Sequence, residues 1–130
     1  MPPTRRSPLR IDARRFERIV QQELTRLPPA FAELLDNVFV VVEETPSAED
    51  LEVVGMGADE GEDLLGLYHG VSLDQRGSDY AGALPDRVVL YRRSILLACD
   101  DERDVRQEIR DTLVHELGHH FGLGDDDMPY

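Results

Sequence analysis

Apolar residues recur at every fourth position near the carboxyl end of the chain and mark one face of a long helix. Asp100 or Asp101 can cap its first turn, and Glu102 and Asp104 are favourable acids near its N-terminus. On a wheel of 100° per residue these apolar positions share one broad face, which we expect to pack on a sheet. The face comprises Val105, Ile109, Leu113, Leu117 and Phe121.

A second helical pattern lies near the amino end and predicts a helix over about 13–27. Asp12 precedes it as the N-cap, and Pro28 and Pro29 end it. Pro29 also suits the first turn of a short second helix, with Phe31, Leu34 and Leu35 facing inward. The apolar stripe of the first helix consists of Phe16, Ile19, Val20, Leu24 and Leu27.

Three short apolar segments between these helices predict strands. Residues 38–42 are a continuous β-branched and aromatic run, which is typical of a strand buried on both faces. Residues 64–71 contain glycines, which favour an edge strand or a close backbone approach by another chain. Residues 88–91 form the third strand, and a single helical turn is predicted over 94–99. These elements predict one α+β domain over residues 1–130, with residues 1–10 loose.

Residues 43–63 form a strongly acidic segment between the first two strands. They include nine acidic residues and no basic one, and glycines and Pro46 interrupt them. A brief strand is predicted over 51–54, and the rest reads as a solvated acidic loop. An alternative interpretation is a rim that selects basic substrate segments by charge complementarity.

The charge and the single cysteine exclude several classes of function. A net charge of −13 argues against non-specific binding to nucleic acid and against attraction to anionic lipid. Cys99 lies in an apolar run and precedes three acidic residues, so we predict a buried structural thiol rather than a nucleophile. No secretory signal or membrane-spanning run is recognisable, which makes the reducing cytoplasm the expected location.

The C-terminal helix also carries the sequence His115-Glu116-Leu117-Gly118-His119, in which two histidines are four residues apart. Residues at this spacing stand one turn apart on one face of a helix, so both imidazoles can bind one metal ion. We predict that Glu108, Thr112, His115 and His119 share the side opposite the apolar face. Gly122 can fold the chain back and make Asp125 the third ligand, with Asp126 or Asp127 as alternatives.

Two imidazoles, one carboxylate and an open fourth position suit a catalytic zinc ion, although iron or nickel would also fit. Glu116 is turned about 100° from His115 and would border the metal without binding it. It could therefore take a proton from a zinc-bound water as that water attacks a peptide carbonyl. Possible donors to the resulting oxyanion are Tyr68, Tyr91 and Tyr130.

The pattern His115-Glu116-x-x-His119-x-x-Gly122-x-x-Asp125 resembles the extended zinc motif of metzincin-type metallopeptidases, in its aspartate variant. Together with residues 65–70 and 84–93, it is similar to small bacterial zincin-like proteins described as possible zinc metallopeptidases. The resemblance implies a minimal zincin-like fold of an N-terminal helix, a small mixed sheet and a C-terminal active-site helix. It also implies that an edge strand aligns an extended peptide or protein substrate. That role falls on residues 65–71, with Leu67, Tyr68 and His69 as the substrate-binding residues.

The leading hypothesis is a cytoplasmic zinc-dependent metallopeptidase with one zinc ion and Glu116 as its general base. One alternative is a zinc-binding regulatory or interaction protein with weak activity or none. The other is a metal-dependent hydrolase of a non-peptide substrate, RNA included. A basic track would favour RNA, and residues 27–75 contain no lysine or arginine.

Overall fold

The computed structural model describes residues 8–70 and 86–120, and of His119 and His120 the backbone alone. Five α-helices and three strands lie in this part of the chain. In chain order they are α1 (Ala13–Leu24), α2 (Pro29–Leu34), β1 (Val38–Glu43), α3 (Ala48–Val53), β2 (Gly66–His69), β3 (Asp86–Tyr91), α4 (Arg92–Ala98) and α5 (Glu102–His120). Two 3-10 helices, Leu35–Asn37 and Ala58–Asp63, connect them.

The helices begin where their capping residues predict. The Asp12 side chain accepts a hydrogen bond from the backbone N–H of Arg15 at 2.8 Å, which starts α1. Asp101 does the same for the N–H of Asp104 at 2.9 Å and so is the acid that caps α5. Pro29 is the first residue of α2, as predicted, whereas α1 ends at Leu24, three residues before the predicted boundary.

The three strands form one mixed sheet in the order β1-β3-β2. β1 runs parallel to β3, with Val40 beside Val88, and β2 runs antiparallel to β3, with Tyr68 beside Val88. The predicted α+β class, with a small mixed sheet, is confirmed. The edge position predicted for β2 from its glycines is also confirmed.

The prediction that β1 is buried on both faces is wrong. Among the described strands β1 lies at the other edge of the sheet, and the Phe39 side chain is 63% exposed. A run of five apolar residues is typical of a central strand, but it does not specify how many neighbours the strand has. β3 is the central strand instead, and Val88, Val89, Leu90 and Tyr91 are all fully buried.

The main core lies between α1, α5 and one face of the sheet, which we call the helix-side face. Val88 and Leu90 of β3 contribute the sheet side of this core. The predicted apolar face of α5 is confirmed up to Leu117, since its four residues before Phe121 have no exposed surface. Cys99 is 4% exposed and belongs to the same core, as predicted for a structural thiol. On the opposite face, the second face, a small cluster contains Leu67, Val89 and Tyr91.

The acidic segment is more ordered than its composition indicates. Ser47 caps the helix α3, in which Leu51 is 5% exposed, so the strand predicted over 51–54 is wrong. Asp50 on α3 accepts a hydrogen bond of 2.7 Å from the hydroxyl of Tyr91, which ties α3 to the second face of the sheet. Ser47 caps this helix with its side chain, a local contribution that an extended segment would lack, and burial of Leu51 adds to its stability.

A buried carboxylate joins the two long helices. Glu23 on α1 is fully buried, and its Oε2 accepts a hydrogen bond of 2.9 Å from Arg106 on α5. Arg110, one turn further along α5, lies 3.4 Å from the other carboxylate oxygen, Oε1. Arg26 lies 3.5 Å from Oε2. Each ion pair offsets part of the desolvation of Glu23, so the side chain fixes how α5 sits on α1.

Candidate active-site groove

Helix α5 presents the predicted metal-binding segment on its solvent side. The helix is continuous from Glu102 to His120, so His115 and His119 lie on one helix and one turn apart. His115 is exposed, whereas Leu113 and Leu117 on either side are fully buried. The side chain of His119 lies outside the described part of the chain, as do Gly122 and the three aspartates at 125–127.

A shallow groove of about 270 Å³ runs between α5 and the segment that leads into β2. We call it the α5 groove. His115 and Glu116 line one wall together with three earlier residues of α5, and the start of β2 provides the other wall. Its lining residues are Asp63, Leu64, Leu65, Gly66, Glu108, Asp111, Thr112, His115 and Glu116.

The α5 groove is acidic. Four of its lining residues, Asp63, Glu108, Asp111 and Glu116, are carboxylic acids, and none of the described residues that line it is an arginine or a lysine. The pKa of Glu108 is raised above its ordinary value, first because burial disfavours the charged carboxylate and then because Asp111 is close. His115 acts in the opposite direction on this pKa. Such a potential favours cations and disfavours anionic ligands.

The pairing of β2 with β3 determines which backbone groups face the outer edge of the sheet. The N–H of Tyr91 donates to the carbonyl of Leu65 at 3.0 Å. In an antiparallel ladder every second residue repeats this pairing, so Leu67 and His69 also direct their N–H and C=O toward β3. The intervening residues, Gly66 and Tyr68, direct theirs away from β3, toward the edge.

The side chains of the three predicted substrate-binding residues divide between the two faces of the sheet. Leu67 is 8% exposed and packs with Val89 on the second face, away from α5. His69 has the same parity, and its Nε2 lies 3.4 Å from Asp50 Oδ1. Tyr68 packs on the helix-side core, and its hydroxyl donates a hydrogen bond of 3.0 Å to Asp86 Oδ2. Of the three, Tyr68 alone lies on the face that carries α5.

Tyr91 is not placed to stabilise an oxyanion in the α5 groove. Its side chain is fully buried on the second face, and its hydroxyl donates to Asp50. Burial, together with this hydrogen bond, raises the pKa of the Tyr91 hydroxyl. Tyr130, another candidate, lies outside the described residues.

Gly66 lines the α5 groove, although the sequence predicted it only as part of an edge strand. A Cβ at this position would lie 2.5 Å from Thr112 Cγ2 on α5 and 3.0 Å from the carbonyl oxygen of Val89. The glycine therefore allows β2 to approach the helix that carries His115. The signal in the sequence was the glycine itself, which in a strand often marks a close backbone approach.

We predict that Gly66→Ala destabilises the fold by about 1–3 kcal/mol, because the added methyl group has to displace both Thr112 and a backbone carbonyl. Gly61→Ala is the matched control, since its Cβ would meet only Leu51 Cδ1 at an ordinary 3.7 Å. Urea denaturation measures both variants. Equal free energies of unfolding for the two would show that β2 does not need the close approach.

Within residues 8–70 and 86–118, no three histidine, cysteine or acidic side chains gather in a metal-binding arrangement. The donors that the structure does describe fit a metal on α5, because His115 is exposed and the backbone of His119 continues the same helix. An imidazole pair at this spacing is the donor set expected for zinc.

Comparison with known proteins decides the family. A model of the zincin-like metallopeptidase family matches residues 35–130. The chain belongs to this family. No curated protein matches the chain. Among solved structures it is similar to a conserved hypothetical protein from Thermo thermophilus, with 23% identity and a TM-score of 0.54 over 85% of this chain and 94% of the other.

That structural similarity supports the fold alone, whereas membership of the zincin-like family implies a metal, typically zinc, and a possible metallopeptidase. The matched region begins just before β1 and includes β2, β3 and α5, the elements that form or support the α5 groove. None of the helices in the described residues is both long and apolar enough to cross a membrane.

Proposed function

We propose that this zincin-like protein is a zinc-dependent metallopeptidase that cleaves extended peptide segments in the α5 groove. The observation that supports this most directly is the position of His115 and Glu116 on one wall, with the beginning of β2 on the other. A metal ligand and a general base that face a sheet edge are suited to a substrate that pairs with the edge as an added strand.

His115, His119 and Asp125 are the proposed zinc ligands, and Glu116 remains outside this set. Zinc, when bound, supplies a Lewis acid that lowers the pKa of a water at its open position to about 7. Asp125 lies outside the described residues. We include it because it stands at the third-ligand position of the motif that the sequence resembles.

Glu116 moves the proton in the proposed reaction. Its carboxylate would accept a proton from the attacking water and deliver it to the nitrogen of the leaving amine. Glu116 lines the α5 groove at intermediate exposure, so its carboxylate can reach a bound substrate. The backbone groups of Gly66 and Tyr68 that point away from β3 would hold the substrate backbone in register with Glu116. Leu67 and His69 would act only indirectly, through the packing of β2.

The cytoplasm is the proposed place of this activity, because the one cysteine is a buried core residue and a reducing compartment keeps it a thiol. The acidic lining of the α5 groove favours substrates with basic residues and disfavours RNA, whose phosphates it would repel.

Removal of one imidazole should test the metal site. His115→Ala is expected to weaken zinc binding by more than about a hundredfold, because it removes a direct ligand and loss of an outer partner alone costs 10–100-fold. His69→Ala is the control, since this histidine contacts Asp50 on the second face. Elemental analysis of purified protein and zinc titration measure both. Equal zinc affinity of His115→Ala and the wild type would contradict the proposed ligand set.

A digest of a proteome-derived peptide library tests the peptidase activity. We expect new peptide termini that disappear with a chelator and return when zinc is added back, with enrichment of basic residues near the cleaved bond. Stoichiometric zinc without any cleavage would instead support the zinc-binding protein that lacks peptidase activity.

A further inference from the structure

The outer edge of β1 lies at the opposite side of the sheet from β2. The N–H of Tyr91 donates to the carbonyl of Leu65, so Tyr91 directs its backbone groups toward β2. Alternate residues of a strand direct both groups to the same neighbour, so Val88 and Leu90 of β3 face β1. These two residues stand beside Val40 and Val42 and, in a parallel ladder, bond to the residues on either side of them. The residues that face β3 within β1 are therefore Phe39, Val41 and Glu43, and those that face the outer edge are Val38, Val40 and Val42.

Within residues 8–70 and 86–120, this edge lacks the usual protection against strand pairing. Residues 38–42 contain no charge and no proline, and the Phe39 side chain is 63% exposed at the edge. The register with β3 is uninterrupted from Val38 to Glu43, so no bulge twists the strand away from a partner. Edge strands of this kind present a row of backbone donors and acceptors and associate with another strand unless they are covered.

We propose that β1 pairs with β1 of a second copy of this chain, antiparallel about a two-fold axis at Val40, to form a dimer with a continuous six-stranded sheet. In this register Phe39 of each copy lies opposite Val41 of the other. The outward-facing residues are Val38, Val40 and Val42, so Val40 exchanges its N–H and C=O groups with Val40 of the second copy across the axis, and Val38 does so with Val42. Pairs of an aromatic and a β-branched side chain are among those that stabilise a sheet.

The sequence of β1 suits pairing with itself. Reversal of residues 38–42 about Val40 places valine opposite valine at the ends and phenylalanine opposite valine between them. A two-fold interface brings the same surface of both copies together, so a strand that is apolar in both directions is self-complementary.

The surface beside the edge also fits a second copy better than a partner of one charge sign. A groove of about 540 Å³, which we call the β1 groove, separates β1 from the exposed side of α1. It is lined by both signs of charge and by apolar residues of the strand. A two-fold partner presents the same glutamate and the same two arginines. The glutamate of one copy can therefore pair with an arginine of the other across the axis. The lining residues are Arg14, Glu17, Arg18, Val20, Gln21, Val40, Val41 and Val42.

The dimer leaves the proposed catalytic sites open. The strand order across the axis would be β2-β3-β1 followed by β1-β3-β2 of the second copy. Both β2 edges and both α5 grooves then lie at the outer ends of the sheet, so association and peptide hydrolysis are separable. The proposal therefore stands independently of the proposed function.

Sedimentation velocity over a dilution series tests the dimer. The wild type is expected to associate reversibly, and Phe39→Lys to raise the dimer dissociation constant by at least about tenfold, since two lysines replace the central aromatic contacts. Val53→Lys is the control, because Val53 is 75% exposed on α3 and lies outside β1. A wild type that stays monomeric at every concentration overturns the proposal. So does a dimer that Phe39→Lys leaves as tight as the wild type.

Cross-linking tests the register and does not depend on the Phe39 variant. Val40 would face Val40 of the second copy as a hydrogen-bonded pair, whose Cα atoms stand about 5.5 Å apart, within the range of a disulfide. Val40→Cys is therefore expected to form covalent dimers on mild oxidation. Val42→Cys, on the same side of β1, would face Val38 and stay monomeric on a denaturing gel. Cross-linking of Val42→Cys as efficient as that of Val40→Cys, or of neither, overturns the proposed register.

Discussion

Glu116→Gln is expected to reduce zinc-dependent peptide hydrolysis by roughly 10²–10⁴-fold, the contribution typical of a positioned general base. Glutamine has nearly the shape of glutamate but cannot accept the proton of the attacking water. Glu116 sits on the groove side of α5, outside the proposed ligand set, so the variant should keep its zinc. The loss should appear in kcat, because the amide occupies the same space and leaves substrate binding nearly unchanged.

Glu108→Gln is the comparison that separates proton transfer from the general electrostatics of the α5 groove. Glu108 lies on the same helix and lines the same groove, but the zinc motif begins only at His115. We expect less than about a tenfold change in this variant, since a general field effect is smaller than loss of the base. Rates and zinc content are measured in parallel for both proteins. Unchanged hydrolysis in Glu116→Gln with full zinc would refute the proposed mechanism.

The largest expected effect on stability is that of Glu23→Gln. This substitution should lower the free energy of unfolding by about 3 kcal/mol, the lower end of the range for removal of one partner from a buried ion pair. Arg106 and Arg110 would lose their counter-charge at the contact between α1 and α5, although their side chains remain 23% exposed and partly solvated. A decrease of roughly 10 °C in Tm would accompany it in a domain of this size.

An exposed glutamate supplies the control for that experiment. Glu33 lies on the surface of α2 and takes part in none of the ion pairs among the described residues. Glu33→Gln should stay within about 0.5 kcal/mol of the wild type, as surface substitutions usually do. Chemical denaturation at neutral pH compares the two. If Glu23→Gln were as stable as Glu33→Gln, the carboxylate would not fix α5 on α1.

The differences between prediction and structure lie in the strands and in the acidic segment. The apolar run of β1 suggested a central strand, but β3 occupies the centre and leaves Phe39 exposed. The segment around Leu51 forms α3, because Ser47 caps it and the Leu51 side chain is buried. The local sequence shows that one segment is apolar and the other acidic. It does not specify how many neighbouring strands or helices each segment contacts in the fold.

The proposed site shows the same division. The spacing of His115 and His119 follows from helix geometry, and the buried residues Leu113 and Leu117 place the apolar face opposite His115 as the sequence predicted. The opposite wall of the α5 groove consists of residues about 50 positions earlier, around Gly66. No local pattern relates those two segments, so the backbone role of Gly66 and the turning of Leu67 and His69 away from α5 emerge only from the fold.

The sequence by itself determined the helices, their caps, the edge character of β2 and the side of α5 on which His115 stands. Each depends on contacts between residues a few positions apart, whose geometry is the same in every protein. The tertiary structure decided the order of strands, the exposed edge of β1 and which residues meet across the α5 groove. These depend on pairing between distant segments, where the free energy of packing the whole core, rather than local preference, selects the arrangement.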